Sequence, residues 1–133
     1  MRKRCRSARI LGVARLLGYR LGFTRYSSGW EGGVADVILE PGAEVWGLLY
    51  EIDDDDLMEL DGYESYPNAY TRFQVSVQIG TRFFDGTWVY SVVDKVTFVP
   101  PTAKYLDILI EAAARWKFSG SYSEQLKKIL VEG

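Results

Sequence analysis

The chain contains no histidine and only one cysteine, Cys5. These absences exclude a zinc site built from Cys and His, a Ser-His-Asp triad and an internal disulfide. A nucleophilic Cys5 would lack a histidine partner, and a lone cysteine suits a reducing compartment. Any catalysis must therefore use carboxylates, tyrosines, lysines or the backbone, without a metal or cofactor held by Cys or His.

The sequence also lacks long apolar runs and a strong charge of either sign. No stretch approaches the ~20 apolar residues of a membrane span, and the N-terminus lacks the apolar core of a signal peptide. The 16 basic and 18 acidic residues leave a net charge of -2, unlike a nucleic-acid-binding protein. A basic cluster (Arg2, Lys3, Arg4, Arg6) either touches a phosphate or solvates a helical turn. We expect a soluble, cytoplasmic protein that binds neither nucleic acid nor membrane.

Alternating apolar residues predict several strands in the first two thirds of the chain. The predicted strands are residues 8–14, 19–26, 34–39, 44–52, 70–79 and 87–93. Turns are predicted at Leu17-Gly18, at Pro41-Gly42 and at Asp85-Gly86, and the last two close hairpins. The glycine-rich stretch 27–33 is predicted to be a loop, in which Trp30 is either a lid over a pocket or a staple for the loop.

Helical spacing follows in three places. Consecutive acids at 53–56 splay their carboxylates, so we interpret them as the capped start of a short helix through Leu60 rather than as a metal site. A longer helix follows Pro100-Pro101, with its apolar face at Tyr105, Ile108, Leu109, Ala112, Ala113 and Trp116. A Ser-x-x-Glu capping box at Ser121 predicts a last helix through Leu126, Ile129 and Leu130.

The 133 residues, 47% of them hydrophobic, fit one domain over 1–133. Strands followed by helices predict an α+β domain, with a strongly curved sheet or small barrel of mostly antiparallel strands and helices outside it. Glu64 lies at the junction between the acidic helix and strand 70–79. Its carboxylate either projects into a cleft there or is an ordinary solvated acid, as most glutamates are.

Several groups of residues, in order along the chain, resemble the γ-glutamylcyclotransferase-like (AIG2-like) family. They are Gly29-Trp30 with residues 33–37, residues 44–52, Leu60-Asp61-Gly62-Tyr63-Glu64 with Tyr70, Pro100-Pro101-Thr102 with Tyr105, and Tyr122 with Leu126. The Leu-Asp-x-x-Glu element followed by Tyr is the most specific of them. The resemblance implies a small curved-sheet barrel that releases 5-oxoproline from γ-glutamyl amino acids or γ-glutamylamines without metal or cofactor.

The resemblance also implies roles for particular residues. Glu64 would be the general base and then the general acid, while Tyr70, Tyr105, Trp30 and Gly33 would bind the small γ-glutamyl substrate. Tyr105 fits the apolar face of its helix equally well, so core packing is an alternative role for it. The alternative function is a non-catalytic or catalytically impaired module that binds a small ligand or takes part in assembly.

The sequence departs from the family at its start. Family members begin with a strand and a Tyr-Gly-Ser-Asn-type loop that holds the polar end of the substrate, whereas Met1-Arg2-Lys3-Arg4-Cys5 resembles the helix that follows this loop. We expect a start codon assigned too far downstream or a truncated form rather than a natural short form, with activity that is weak or absent. An open strand position in the sheet would also be a place for a second subunit, giving a homodimer.

Overall fold

The computed structural model describes residues 7–131. In chain order the elements are β1 (Arg9–Ser27), β2 (Gly32–Glu51), α1 (Asp54–Tyr63), β3 (Tyr70–Ile79), β4 (Arg82–Val92), α2 (Ala103–Arg115) and α3 (Gly120–Lys127). The strands form a four-stranded sheet of order β2-β1-β3-β4, in which β3 pairs antiparallel with both β1 and β4. This arrangement confirms the predicted α+β class. Cys5 and the basic cluster lie outside the described residues.

The chain divides into two compact units. The first comprises the described residues of Met1–Arg20 and Val37–Val93, and the second those of Leu21–Asp36 and Asp94–Gly133. Ala14, Leu16, Leu49 and Val77 form a buried cluster in the first unit, and Ala8 and Leu60 form a second one there. Buried apolar side chains of the second unit include Phe23, Pro101, Leu106, Ala113, Tyr122 and Leu126. Within residues 7–131, no helix is both long enough and apolar enough to cross a membrane.

Two of the predicted turns are wrong, because each lies inside a long continuous strand. Leu17-Gly18 is part of β1, and Pro41-Gly42 is part of β2. Both glycines have positive φ, +85° at Gly18 and +88° at Gly42, which glycine adopts without steric cost. Because β2 lies at the end of the strand order, Pro41 is on an edge strand, where its missing N–H is tolerated.

The hairpin of β3 and β4 is present, but its predicted turn is wrong. The chain turns at Gly80-Thr81, where Gly80 has φ +58°, as the first central residue of a type II′ turn requires. Asp85-Gly86 is a β-bulge instead. The register shifts between Val75 and Val77, so that Asp85-Gly86 lies opposite Ser76, whose hydroxyl donates to the Asp85 carboxylate at 2.7 Å.

The acidic run caps α1 as predicted. The Asp53 side chain accepts a hydrogen bond from the Asp56 backbone N–H at 2.8 Å, and three further acids occupy the first turn. Carboxylates there satisfy free N–H groups and complement the helix dipole. The capping interpretation of this run is therefore confirmed.

The two later helices are confirmed, with corrections in detail. Ile108 of α2 is 47% exposed, so its predicted burial is wrong, and Leu106 is buried in its place. The cap of α3 is Ser119, whose hydroxyl accepts from the Tyr122 N–H at 3.2 Å, and not Ser121. Leu130 lies beyond the end of α3 and is 75% exposed, so it does not extend the buried face.

Candidate active site

Glu64 is half-buried and is the C-cap of α1, and its backbone position follows from the way the helix ends. Ser65 has φ +52°, and its N–H donates to the Gly62 carbonyl at 3.2 Å. The Tyr66 N–H donates to the Asp61 carbonyl at 2.9 Å. Together these bonds form a Schellman motif, which satisfies the last carbonyls of the helix. The backbone of Glu64 is therefore held within a hydrogen-bonded turn.

Asp61, three residues before Glu64, is tied to both strands of the neighbouring hairpin. Its carboxylate accepts hydrogen bonds from Arg72 Nε at 2.8 Å, from Arg72 Nη2 at 3.1 Å and from the Tyr90 hydroxyl. Arg72 and Tyr90 are direct cross-strand partners on β3 and β4. The side chains of Asp61 and Arg72 are only 15% and 16% exposed. A bidentate, largely buried ion pair of this kind is a much stronger interaction than an ion pair on the surface.

Aromatic rings complete the surroundings of Arg72. Its guanidinium carbon lies 4.2 Å from the centroid of the Trp88 ring and 5.0 Å from that of the Tyr66 ring. Contacts at this distance are favourable cation–π interactions. We call the set Asp61, Arg72, Tyr90, Trp88 and Tyr66 the Asp61 clamp. It joins the end of α1 to the β3–β4 hairpin.

The electrostatics of the clamp favour the ionised acid, the charged arginine and the neutral phenol. Burial alone would raise the pKa of Asp61, but the hydrogen bonds from Arg72 and Tyr90 and the charge of Arg72 outweigh burial and lower this pKa. The hydrogen bond to Asp61 raises the pKa of Arg72. Burial raises the pKa of Tyr90, as do its hydrogen bond to Asp61 and the negative charges of Asp61 and Glu64. The negative charge of Glu64 is the smallest of these contributions to the raised pKa of Tyr90.

Tyr70, the second residue of the predicted site in this unit, is the first residue of β3. It is half-buried and lies opposite Val92 of β4. Glu64 and Tyr70 therefore flank the short connection between α1 and β3, and this connection is held by the Asp61 clamp at one end and by the hairpin at the other.

A cavity of about 600 Å³ lies in the first unit. Its walls are mainly apolar side chains of the four strands, with Leu57 and Leu60 from α1. Tyr90 and Trp88 of the clamp also line it, whereas Glu64 is not among its lining residues. The cavity therefore shares a wall with the Asp61 clamp without including the predicted acid.

Trp30 and Tyr105 lie together in the second unit. Their ring centroids are 5.0 Å apart in an edge-to-face arrangement, and the Tyr105 hydroxyl accepts a hydrogen bond from the Ala35 N–H at 2.9 Å. Tyr105 also packs edge-to-face on Phe23 at 6.3 Å. These contacts favour the interpretation of Trp30 as a staple that holds its loop on α2, and they give Tyr105 a packing role.

Close backbone packing explains why position 33 is occupied by glycine. A Cβ atom at this position would lie 1.8 Å from the Val99 carbonyl oxygen, which is impossible without backbone movement. The Gly33 N–H donates to the Pro100 carbonyl at 3.0 Å. Only glycine lets the start of β2 approach the segment before α2 this closely.

A second buried ion pair lies beside these residues. The Asp36 carboxylate, whose side chain is fully buried, accepts hydrogen bonds from Lys95 Nζ at 2.6 Å and from the Thr24 hydroxyl at 2.7 Å. A buried carboxylate is tolerated when it is paired and hydrogen-bonded in this way. Asp36 therefore joins β1, β2 and the segment after β4 within the second unit.

The structure thus places the predicted site residues in two groups, with Glu64 and Tyr70 in the first unit and Trp30, Gly33 and Tyr105 in the second. Arg72 and Tyr90 were not predicted from the sequence as site residues. The available signal was that Arg72 is an arginine on the polar face of a predicted strand. Among residues 7–131, no three acidic or sulfur-bearing side chains come together as a metal site.

Comparisons with known proteins identify the family of the chain and support its fold. The profile of the AIG2-like family matches residues 44–126. The chain is similar to the gamma-glutamylcyclotransferase of Homo sapiens, with 28% identity over 92% of this chain and 68% of that protein. It is 27% identical to the gamma-glutamylcyclotransferase of Mus musculus, over 88% of this chain and 64% of that protein. A solved gamma-glutamyl cyclotransferase structure superposes with a TM-score of 0.89 at 27% identity, over 98% of this chain and 80% of that one. The chain spans about two thirds of the length of these curated relatives.

Proposed function

Because the chain belongs to the AIG2-like family, we propose that it is a γ-glutamylcyclotransferase-type enzyme that releases 5-oxoproline from a small γ-glutamyl amino acid or γ-glutamylamine. Its general acid and base is Glu64. The observation that carries the proposal is the Leu-Asp-x-x-Glu element ending in a half-buried Glu64, held at a defined helix end beside the Asp61 clamp. The names of the relatives support the same activity.

The reaction needs little from the protein because the substrate carries both reacting groups. The α-amine nitrogen forms a bond to the γ-carbonyl carbon, and the bond from that carbon to the leaving nitrogen breaks. Effective molarities for well-oriented attack of this kind reach about 10⁵ M or more. The products are 5-oxoproline and a free amine, so the reaction consumes no co-reactant.

The role of Glu64 is proton transfer. Its carboxylate takes a proton from the α-ammonium group of the substrate, which frees the lone pair for attack, and then returns a proton to the leaving nitrogen. General acid–base catalysis of this kind contributes about 10²–10⁴-fold in rate. Tyr70, at the start of β3, is our candidate for a hydrogen bond to the substrate. For Trp30, Gly33 and Tyr105, substrate binding remains a proposal, in addition to the packing roles that their contacts explain.

The test is an assay of the purified chain against a panel of γ-glutamyl amino acids and γ-glutamylamines, with 5-oxoproline and the released amine measured by mass spectrometry. Glu64→Gln keeps the size of the side chain but removes the base, so kcat should fall at least about 100-fold. Glu59→Gln is the matched control, because Glu59 is an exposed glutamate on the same helix. Turnover that survives Glu64→Gln would contradict the role of Glu64.

A second candidate function is binding of a small ligand without turnover. The observation in its favour is the cavity of about 600 Å³, which is mainly apolar and is not lined by Glu64. Under this alternative, a γ-glutamyl compound raises the melting temperature of the chain, because a ligand that binds only the folded state stabilises it. No 5-oxoproline would then accumulate, even with prolonged incubation.

A further inference from the structure

We propose that Arg72 is a positioning residue for the reaction, one that holds Glu64 in its productive place through Asp61. This inference deepens the proposed function and rests on it. The observations are the two hydrogen bonds from the Arg72 guanidinium to the Asp61 carboxylate, at 2.8 and 3.1 Å, and the rings of Trp88 and Tyr66 against the same guanidinium.

Asp61 connects Arg72 to Glu64 because it takes part both in the Schellman motif at the end of α1 and in the Asp61 clamp. Its backbone carbonyl accepts the Tyr66 N–H in the Schellman motif that fixes the turn containing Glu64. Its carboxylate is fixed by Arg72 on β3 and by Tyr90 on β4. Any movement of Asp61 therefore displaces the turn that carries the acid. The part of the hairpin that carries Arg72 and Tyr90 is paired without a shift from Tyr70–Val92 to Val75–Thr87, and it supplies the rigid support that a catalytic group needs.

The guanidinium is suited to this task in a way that an ammonium group is not. Arginine presents a planar fork that matches a carboxylate and stacks on aromatic rings, whereas lysine carries a compact point charge. In the clamp the fork faces Asp61, and the guanidinium carbon lies over the rings of Trp88 and Tyr66. Because this side chain is engaged by protein groups, its loss should affect the geometry of Glu64 rather than substrate affinity.

The expected kinetic signature follows from this distinction. A misplacement of a catalytic group by about 1 Å costs on the order of 100-fold in rate. We therefore expect Arg72→Met to lower kcat about 30- to 100-fold while KM changes less than about threefold, because an interaction felt only in the transition state has been weakened. Arg72→Lys keeps the charge but loses the planar fork, so its kcat should lie between the kcat of Arg72→Met and that of the parent chain.

The experiment compares Arg72→Met, Arg72→Lys and the double variant Asp61→Asn/Arg72→Met with the parent. Arg82→Met is the matched control, since the Arg82 guanidinium carbon also lies over a ring of this hairpin, Phe84 at 4.7 Å, but Arg82 pairs with Ile79 beside the turn and not with a residue of the clamp. Replacing both partners of a pair removes the unpaired charge, so the double variant should recover much of the stability lost in Arg72→Met. Its kcat should stay low. A kcat that recovers together with stability would overturn the proposal, because Arg72 would then act through stability alone.

A second measurement does not depend on turnover. Hydrogen exchange of the Ser65 and Tyr66 amides, which close the turn around Glu64, reports how well that turn is held. We expect both amides to exchange at least about 10-fold faster in Arg72→Met than in the parent and to be unchanged in Arg82→Met. Unchanged exchange at both amides in Arg72→Met would overturn the proposal.

The two measurements separate failure of this inference from failure of the proposed function. A parent chain that releases no 5-oxoproline from any tested compound refutes the proposed function, and the exchange rates then decide whether Arg72 holds the turn. A parent chain that is active, with an Arg72→Met variant of unaltered kcat, refutes only the positioning role.

Discussion

Replacement of Asp61 by Asn should destabilise the fold and remove a defined pH dependence. Asn keeps the shape of the side chain but loses the charge that faces Arg72 and one acceptor oxygen. Removing one partner of a buried ion pair costs about 3–5 kcal/mol, and an exposed pair is worth less than about 1 kcal/mol. With 15% and 16% exposure the pair lies near the buried limit. We therefore expect a loss of about 2–4 kcal/mol in the free energy of unfolding at pH 7.

The pH dependence follows from the lowered pKa of Asp61 in the folded chain. An acid whose folded pKa is depressed contributes stability above its unfolded pKa of about 3.9, and this contribution is lost as pH falls through the folded pKa. The difference in the free energy of unfolding between the parent and Asp61→Asn should thus reach its maximum at pH 6–7, at least about two units above the unfolded pKa. It should become smaller as the pH falls into the acid range.

Urea denaturation at several pH values measures this difference. Glu59→Gln is again the control, and as an exposed substitution it should change the free energy of unfolding by no more than about 0.5 kcal/mol. If the free energies of unfolding of the parent and Asp61→Asn differ by the same amount in acid as at pH 7, the electrostatic reasoning is refuted. If they differ by less than about 0.5 kcal/mol at pH 7, the structural role of the Asp61–Arg72 pair is refuted.

Two glycines should respond in opposite directions. Gly33→Ala forces a Cβ to within 1.8 Å of the Val99 oxygen, so the free energy of unfolding should fall by at least about 3 kcal/mol; thermal unfolding with unchanged Tm would contradict this. Gly62→Ala adds a Cβ inside α1 that meets nothing within 4 Å, so stability should rise by about 0.5–1 kcal/mol in the same measurement, and a loss would show that Gly62 is required.

The sequence predicted strands well where side chains alternate, but it could not distinguish a turn from a bulge. Residues 70–79 alternate cleanly and coincide with β3. Gly18, Gly42 and Gly86 instead have the positive φ that suggests a turn, although each lies inside a strand. The same conformation serves both purposes, and only long-range pairing decides between them.

That ambiguity also hid part of the site. A hairpin turning at Asp85-Gly86 would have placed Arg72 opposite Val99. With the turn at Gly80-Thr81 and a bulge further on, Arg72 lies opposite Tyr90, and the two side chains meet at Asp61. Residues that cooperate across a hairpin can be predicted only once its register is known.

The position of Glu64 at the end of α1 and the cap at Asp53 could be predicted because their signals are local. A helix start needs acceptors within one turn, and Leu-Asp-x-x-Glu is a short element. The contact of Trp30 with Tyr105, by contrast, joins distant parts of the chain. Composition and spacing alone therefore left the lid and staple interpretations of Trp30 equally open.

The most direct test of the central claim is the turnover number for 5-oxoproline release by the parent chain and by Glu64→Gln, measured on the best compound of the γ-glutamyl panel. We expect the parent to produce 5-oxoproline and free amine in equal amounts. The kcat of Glu64→Gln should be at least about 100-fold lower, and that of Glu59→Gln should equal the kcat of the parent. A Glu64→Gln chain that turns over as fast as the parent would contradict the role of Glu64 as general acid and base.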